Sequence, residues 1–143
     1  MRISAKADYA VRAVLVLAGR RASPPAPVKI EDIARAGGVP PKFLESILVQ
    51  LKRAGLVDSK RGAEGGYWLA RGPEEVSVAD VLRAIDGPLT LVAGRRPGQV
   101  DYPTEVAPLQ EVWEETRSAL RGVLEDLTFD RLAQAGRALD YQI

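Results

Sequence analysis

The sequence predicts a mainly α-helical fold with one small β-hairpin and a separate long helix. Three stretches carry that expectation. Residues 30–55 hold two helical periodicities broken at Gly37-Gly38, with Ile30, Ile33 and Ala34 in the first and Phe43, Leu44, Ile47, Leu48 and Leu51 in the second. Leu56-Val57 and Tyr67-Trp68-Leu69 are short β-prone runs around a turn-rich segment, Asp58 to Gly66. From about Pro108 to Leu127, apolar residues recur at three- and four-residue steps over nearly three heptads. Two helices joined by a glycine turn and followed by a charged hairpin make a winged helix-turn-helix. The third stretch adds a long helix with the spacing of a coiled-coil seam.

In chain order, Ser4 is placed to cap a first helix running to about Ala18, ended by Gly19 and by Ser23-Pro24-Pro25. Its expected apolar stripe is Ala7, Ala10, Val11, Val14, Leu15 and Ala18, with Lys6, Asp8 and Arg12 off it. Ser23 to Pro27 is a stiff connector. The second helix of the pair opens on Pro40-Pro41, where a missing N–H costs nothing, and stops at Gly55. After the hairpin, Ser77 to Asp86 reads as a helix with a Ser77–Asp80 capping box, an inner side of Val78, Val81, Leu82 and Ile85, and a stop at Gly87-Pro88. Thr128 is a cap for a last helix, with Leu127 and Leu132 as a hydrophobic staple. The organisation expected is a winged helix-turn-helix domain over 1–90, a flexible loop over 91–107, and the dimerisation and C-terminal helices over 108–143.

An apolar content of 46% in 143 residues suits one folded core. No apolar run approaches ~18 residues, and the first residues lead into a helix without a cleavage site, so no membrane span or signal peptide is expected. The expected location is the cytoplasm. The net charge of +1 hides a division: residues 1–72 carry 13 Lys and Arg against 6 Asp and Glu, and residues 73–143 carry 7 against 13. The basic half holds the helix pair and the hairpin, as expected of a surface that meets phosphates.

The second helix of the pair would lie in a major groove with its N-terminal turn toward the bases. Val39-Pro40-Pro41 offers no side-chain cap, which leaves backbone N–H groups for a phosphate. Lys42 would donate to guanine or phosphate, Glu45 would accept from a cytosine amino group, and Ser46 and Gln50 stand beside them. Lys60 and Arg61 enter the hairpin turn, from which an arginine reaches the narrow minor groove. Ser4 and Lys6 add a modest phosphate contact. The coiled-coil-like seam expected on the long helix is Leu109, Val112, Trp113, Thr116, Leu120, Val123, Leu124 and Leu127.

The strings MRISAKADYAVRAVLVLA, VPPKFLESILVQLKRAGLVDSKRGAEGGYWLAR and VSVADVLRAIDGP resemble the family of bacterial winged-helix regulators that includes IscR, NsrR and CymR. The likeness is strong over residues 1–90 and looser from Pro108 onward. It implies a homodimeric transcription regulator, usually a repressor, on double-stranded DNA with a near-palindromic operator. It aligns residues 40–54 with the groove-reading helix, Glu45 with a base-discriminating glutamate, Arg61 with a minor-groove arginine, and about 108–127 with the dimer helix. Members that sense iron, nitric oxide or redox state hold an iron–sulfur cluster through three cysteines in the segment that is Leu91 to Val106 here. This chain has no cysteine and no histidine, so a conventional cluster is excluded and no cofactor is expected. Arg95 and Arg96 in that loop are candidate contacts for a small-molecule or protein effector.

Catalysis is disfavoured. Without His or Cys there is no general base or nucleophile of those kinds, and neither a nucleophile elbow nor a phosphate-binding lysine loop is present. The rival reading is a winged-helix module that binds a protein without touching DNA, since fold alone does not dictate the partner.

Overall fold

The computed structural model describes residues 1–142. Six helices and one hairpin follow in order: α1 Ala5–Gly19, α2 Ile30–Gly37, α3 Pro41–Arg53, β1 Val57–Lys60, β2 Gly66–Leu69, α4 Val78–Asp86, α5 Pro108–Asp126 and α6 Phe129–Gln142. This is the winged helix-turn-helix with an added long helix that the sequence predicts. Of the 108–143 unit, residue 143 lies outside the described residues.

α1 is the central post, packed against α2, α3, α4 and α6. Ser4 caps it, its hydroxyl accepting from the Ala7 N–H at 3.0 Å. The stripe differs from the expected one. Ala13 and Leu17 are buried with Ala7, Ala10, Val14 and Ala18, while Val11 and Leu15 are only half-buried. Partners surround α1 on several sides, so small alanines at the closest approaches, rather than the larger residues, mark its inner face. α2 ends on Gly38 at φ 63, the left-handed cap that turns the chain into α3. The Arg12 guanidinium donates to the Gly38 carbonyl at 3.2 Å and pairs with Asp8 at 2.9 Å, tying α1 to that turn.

Leu44, Ile47, Leu48 and Leu51 of α3 are fully buried. Phe43, expected among them, is instead 42% exposed at the flank of the helix, stacked on Tyr9 with ring centroids 5.6 Å apart. The hairpin's first strand also corrects the reading, because Asp58, Ser59 and Lys60 belong to β1 and not to the turn, with Val57 opposite Leu69 and Lys60 opposite Gly66. Pairing with β2 holds these polar residues extended despite their low strand propensity. Val28, after the proline connector, adds an edge to the wing through bonds of 2.8 and 2.9 Å with Tyr67. A side chain at Gly65 would strike the Lys60 carbonyl, and one at Gly66 the Val28 backbone.

The capping box forms as expected: the Ser77 hydroxyl accepts from the Asp80 N–H at 3.1 Å, and the Asp80 carboxylate accepts from the Ser77 N–H at 3.0 Å. Ala79 is fully buried on α4 beside Val81 and Leu82, while Val78 and Ile85 are half-buried. Residues 91–107 carry two single 3-10 turns, Pro97–Gln99 and Thr104–Val106. Pro97 is buried, and the Trp113 indole N–H donates to the Tyr102 hydroxyl at 3.0 Å, fastening this segment to α5.

The last helix belongs with the first ninety residues in packing terms. Phe129 is fully buried in their core, and its N–H bonds the Val76 carbonyl at 3.1 Å. The Thr128 carbonyl accepts the Leu132 N–H at 3.2 Å, the position of a cap, but its hydroxyl donates to the Asp130 carboxylate. That bond holds Asp130 below the usual carboxylate range, helped by nearby backbone N–H groups. No helix among the described residues is long and apolar enough to cross a membrane.

Candidate nucleic-acid interface

α3 has two faces set by its spacing. Leu44, Ile47, Leu48 and Leu51 point inward, so Lys42, Glu45, Ser46, Val49 and Arg53 fall outward at the same 3.6-residue period. All five are exposed. Lys42, Glu45, Lys60 and Arg61 have no ion-pair partner within 4 Å among the described residues, so their charges stand open to a ligand. The Lys42 ammonium lies 5.0 Å from the centre of the Phe43 ring, which steadies it at the rim of the helix N-terminus.

The wing joins this surface at the other end of α3. Lys52 donates from its ammonium to the Ser59 hydroxyl at 2.7 Å, bridging helix and β1. Lys60 closes β1 and Arg61 opens the turn, both exposed. That bond links α3 to the strand that leads into Lys60 and Arg61.

Other expected contacts fare differently. Pro40 is the N-cap residue and Pro41 the first helical one, and no side chain caps them. Pro41 has no N–H, and the Phe43 N–H bonds the Pro40 carbonyl at 3.1 Å. Only the Lys42 N–H in this turn is left for a phosphate, fewer than the sequence reading allowed. Gln50 is half-buried, with its side-chain oxygen buried and unbonded, so that oxygen is turned away from a groove. Ser4 donates its hydroxyl to Asp86 at 2.7 Å, and its N–H reaches the same carboxylate at 3.3 Å. An anionic neighbour this close opposes a phosphate at Ser4. Lys6 is half-buried one turn before Tyr9, the residue stacked on Phe43, and so lies on the side of α1 that borders α3.

The sequence reading passed over Val49. It is 41% exposed in the middle of the outward face, the kind of apolar contact that suits a thymine methyl. Its place opposite the buried stripe was readable from helical spacing. Only polar side chains were singled out for the groove, so an apolar one was left aside.

The expected seam on α5 divides into two adjoining stripes. Trp113, Leu120, Leu124 and Leu127 are half-buried on the side toward their own chain, where α4 and the Pro97–Gln99 turn pack. Leu109, Val112, Thr116 and Val123, joined by Ala119, form an exposed line at alternating three- and four-residue steps. No residue of this 19-residue helix is fully buried. Of the two loop arginines, both are exposed, and Arg95 sits in a tight turn closed on Val92, its N–H bonding the Val92 carbonyl at 3.0 Å.

Residues 3–135 match the family described as Rrf2, iron-dependent transcriptional regulator. Over 133 residues the chain is 48% identical to Rv1287 of Mycobacterium tuberculosis, a candidate HTH-type transcriptional regulator, covering 93% of this chain and 81% of that one. Among solved structures it is similar to CymR, the global cysteine regulator of B. subtilis, with a TM-score of 0.79 at 31% identity, covering 94% of this chain and 98% of that one. T. potens IscR gives a TM-score of 0.74 at 33% identity, covering 96% and 90%. The family's iron does not fit the residues present. The 143 residues offer no thiolate and no imidazole, and no three carboxylates converge as a ligand set among the described residues.

Proposed function

The chain belongs to the Rrf2 family of transcriptional regulators, and from that premise we propose that it acts as a homodimeric repressor reading a near-palindromic operator. That family consists of regulators, so the chain is no enzyme. In the proposal, each copy lays α3 in a major groove, with Lys42, Glu45, Ser46 and Val49 toward base edges and Lys52 and Arg53 toward phosphates. Arg61 on the wing enters the adjoining minor groove, where the potential is most negative.

The observation that carries this reading is the unpaired, exposed surface from Lys42 through Glu45 to Lys60-Arg61, built on a fully packed helix. A rigid helix presenting unspent donors and acceptors suits base recognition. The line of Leu109, Val112, Thr116, Ala119 and Val123 supports pairing with a second copy. Amphipathic helices draw most of their stability from packing of the apolar side, and this side has no cover within one chain. A two-fold dimer in turn explains a symmetric site, because protein symmetry is mirrored in operator symmetry.

In-vitro selection from random duplexes tests the reading. It predicts enrichment of an inverted repeat with half-sites about one helical turn, roughly 34 Å, apart or a multiple of it. Recovery of no sequence at low salt would transfer the outward face of α3 to a protein partner.

A further inference from the structure

The junction of α4, the 91–107 segment and α5 holds a feature that DNA reading does not use. Four arginines from three elements line one cavity of about 190 Å³: Arg83 from α4, Arg96 from the loop, and Arg117 and Arg121 from α5, with Leu89 and Thr90 as wall. The charges divide in a telling way. Arg83 is met by Glu125 and, at 3.5 Å, by Asp80, and Arg117 by Glu114 at 3.4 Å. Arg96 and Arg121 have no carboxylate within 4 Å among the described residues. At the wall, the Thr90 hydroxyl is buried and has no hydrogen-bond partner.

Buried hydroxyls are ordinarily bonded, and guanidinium groups brought together without matching carboxylates repel one another. Both are answered by one kind of occupant. An oxyanion takes bidentate bonds from arginine forks and also accepts from a hydroxyl. The space equals the liquid volume of about six waters at ~30 Å³ each, enough for a phosphoryl or carboxylate group with a small body attached. We propose that this cavity is a binding site for a small oxyanion, a phosphate ester or polycarboxylate, held by Arg96, Arg121 and Thr90. Arg83 and Arg117 line the same space while keeping their own carboxylates. Because α4 belongs to the helix-turn-helix core and α5 carries the exposed apolar line, an anion here would tie the two together. The site itself depends on neither DNA binding nor pairing.

The test is calorimetric titration and thermal unfolding of the full chain with inorganic phosphate and, separately, citrate, against chloride at matched ionic strength. Variants are Arg96→Gln, Arg121→Gln, the double variant and Thr90→Val. Multivalent salts stabilise any fold weakly by exclusion from its surface, an effect the variants would retain. Phosphate or citrate at low millimolar concentration is expected to raise the unfolding midpoint by ~5 °C or more at saturation. Each arginine variant should bind at least tenfold more weakly, and the double variant should lose the rise. Response to phosphate alone would mark a phosphoryl ligand, and to citrate alone a polycarboxylate. An equal rise with chloride, or full binding by the double variant, would overturn the proposal. Since Arg96 and Arg121 are both exposed, their replacement leaves the core intact, and no arm of the test involves DNA.

Discussion

Val112→Glu is the sharpest probe of how two copies would pair. Leu109, Val112 and Val123 remain 41%, 48% and 61% exposed in one chain. Fully burying such side chains is worth ~1.5–3 kcal/mol each, so covering the exposed half gives ~1 kcal/mol per residue and ~6 kcal/mol over both copies. A carboxylate set in the middle of that line forfeits its share and enters the interface unpaired, at ~3 kcal/mol or more per copy. Two-fold symmetry repeats the cost. At ~1.4 kcal/mol per factor of ten, the dimer dissociation constant should rise by at least ~10³-fold. Sedimentation equilibrium over a range of concentrations reads this directly. Position 112 faces solvent in the single chain, so the thermal midpoint at monomer concentrations should be unchanged. Ser118→Glu, also exposed but on the opposite side of α5, is the control and should leave association alone. Leu120 is a poorer probe because its half-buried side chain packs on its own chain. A Val112→Glu protein that dimerises as tightly as the parent would refute the pairing argument.

Other expectations concern the interface and the fold. Glu45→Ala should relax base preference, with roughly 1–3 kcal/mol of discrimination lost if the carboxylate reads a cytosine; in-vitro selection repeated with the variant checks this, and an unaltered profile would remove Glu45 from base reading. Arg61→Ala should weaken binding most on sites with a narrow A·T-rich minor groove, measured by fluorescence anisotropy on paired duplexes, whereas equal loss on all duplexes would reduce Arg61 to a phosphate contact. Gly65→Ala should distort the wing, because the added methyl would meet the Lys60 carbonyl; amide exchange in β1 and β2 should quicken while α1 stays protected. The lowered pKa of Asp130 means its contribution to stability is present above the ordinary carboxylate pKa and is lost as pH falls through the folded value. Thr128→Val should return Asp130 toward the ordinary range in an NMR titration, and an unmoved titration would assign the shift to the backbone N–H groups.

Much of this architecture was readable because it is local. Glycine breaks, a Ser-x-x-Asp cap and short apolar periods marked α2, α3 and α4 within a residue or two, since each signal acts over one or two helical turns. Features set by distant partners were not readable. α1 is surrounded, so nothing in its own period told Leu17 from Leu15. Asp58 to Lys60 is extended only because β2 lies alongside. The α5 seam looked like one stripe until α4 and the Pro97–Gln99 turn covered part of it. The gathering of Arg83, Arg96, Arg117 and Arg121 comes from three elements spread over some forty residues, a convergence that no linear spacing encodes. On the candidate interface, Lys42 and Glu45 stood out as polar residues off an apolar stripe, and Lys60 and Arg61 as basic residues entering a hairpin turn. The bond from Ser4 to Asp86 was not readable because the two are 82 residues apart.

The central claim is that the surface from Lys42 to Arg61 grips duplex DNA. The affinity of the purified protein for a selected duplex, followed as potassium chloride is raised, tests it most directly. A reader making several phosphate contacts should lose affinity along a straight log–log line with slope of about −0.9 per phosphate neutralised. Substitution of Lys52 should make that slope shallower by about one contact. Absence of binding even at low salt, or a slope near zero, would contradict the account.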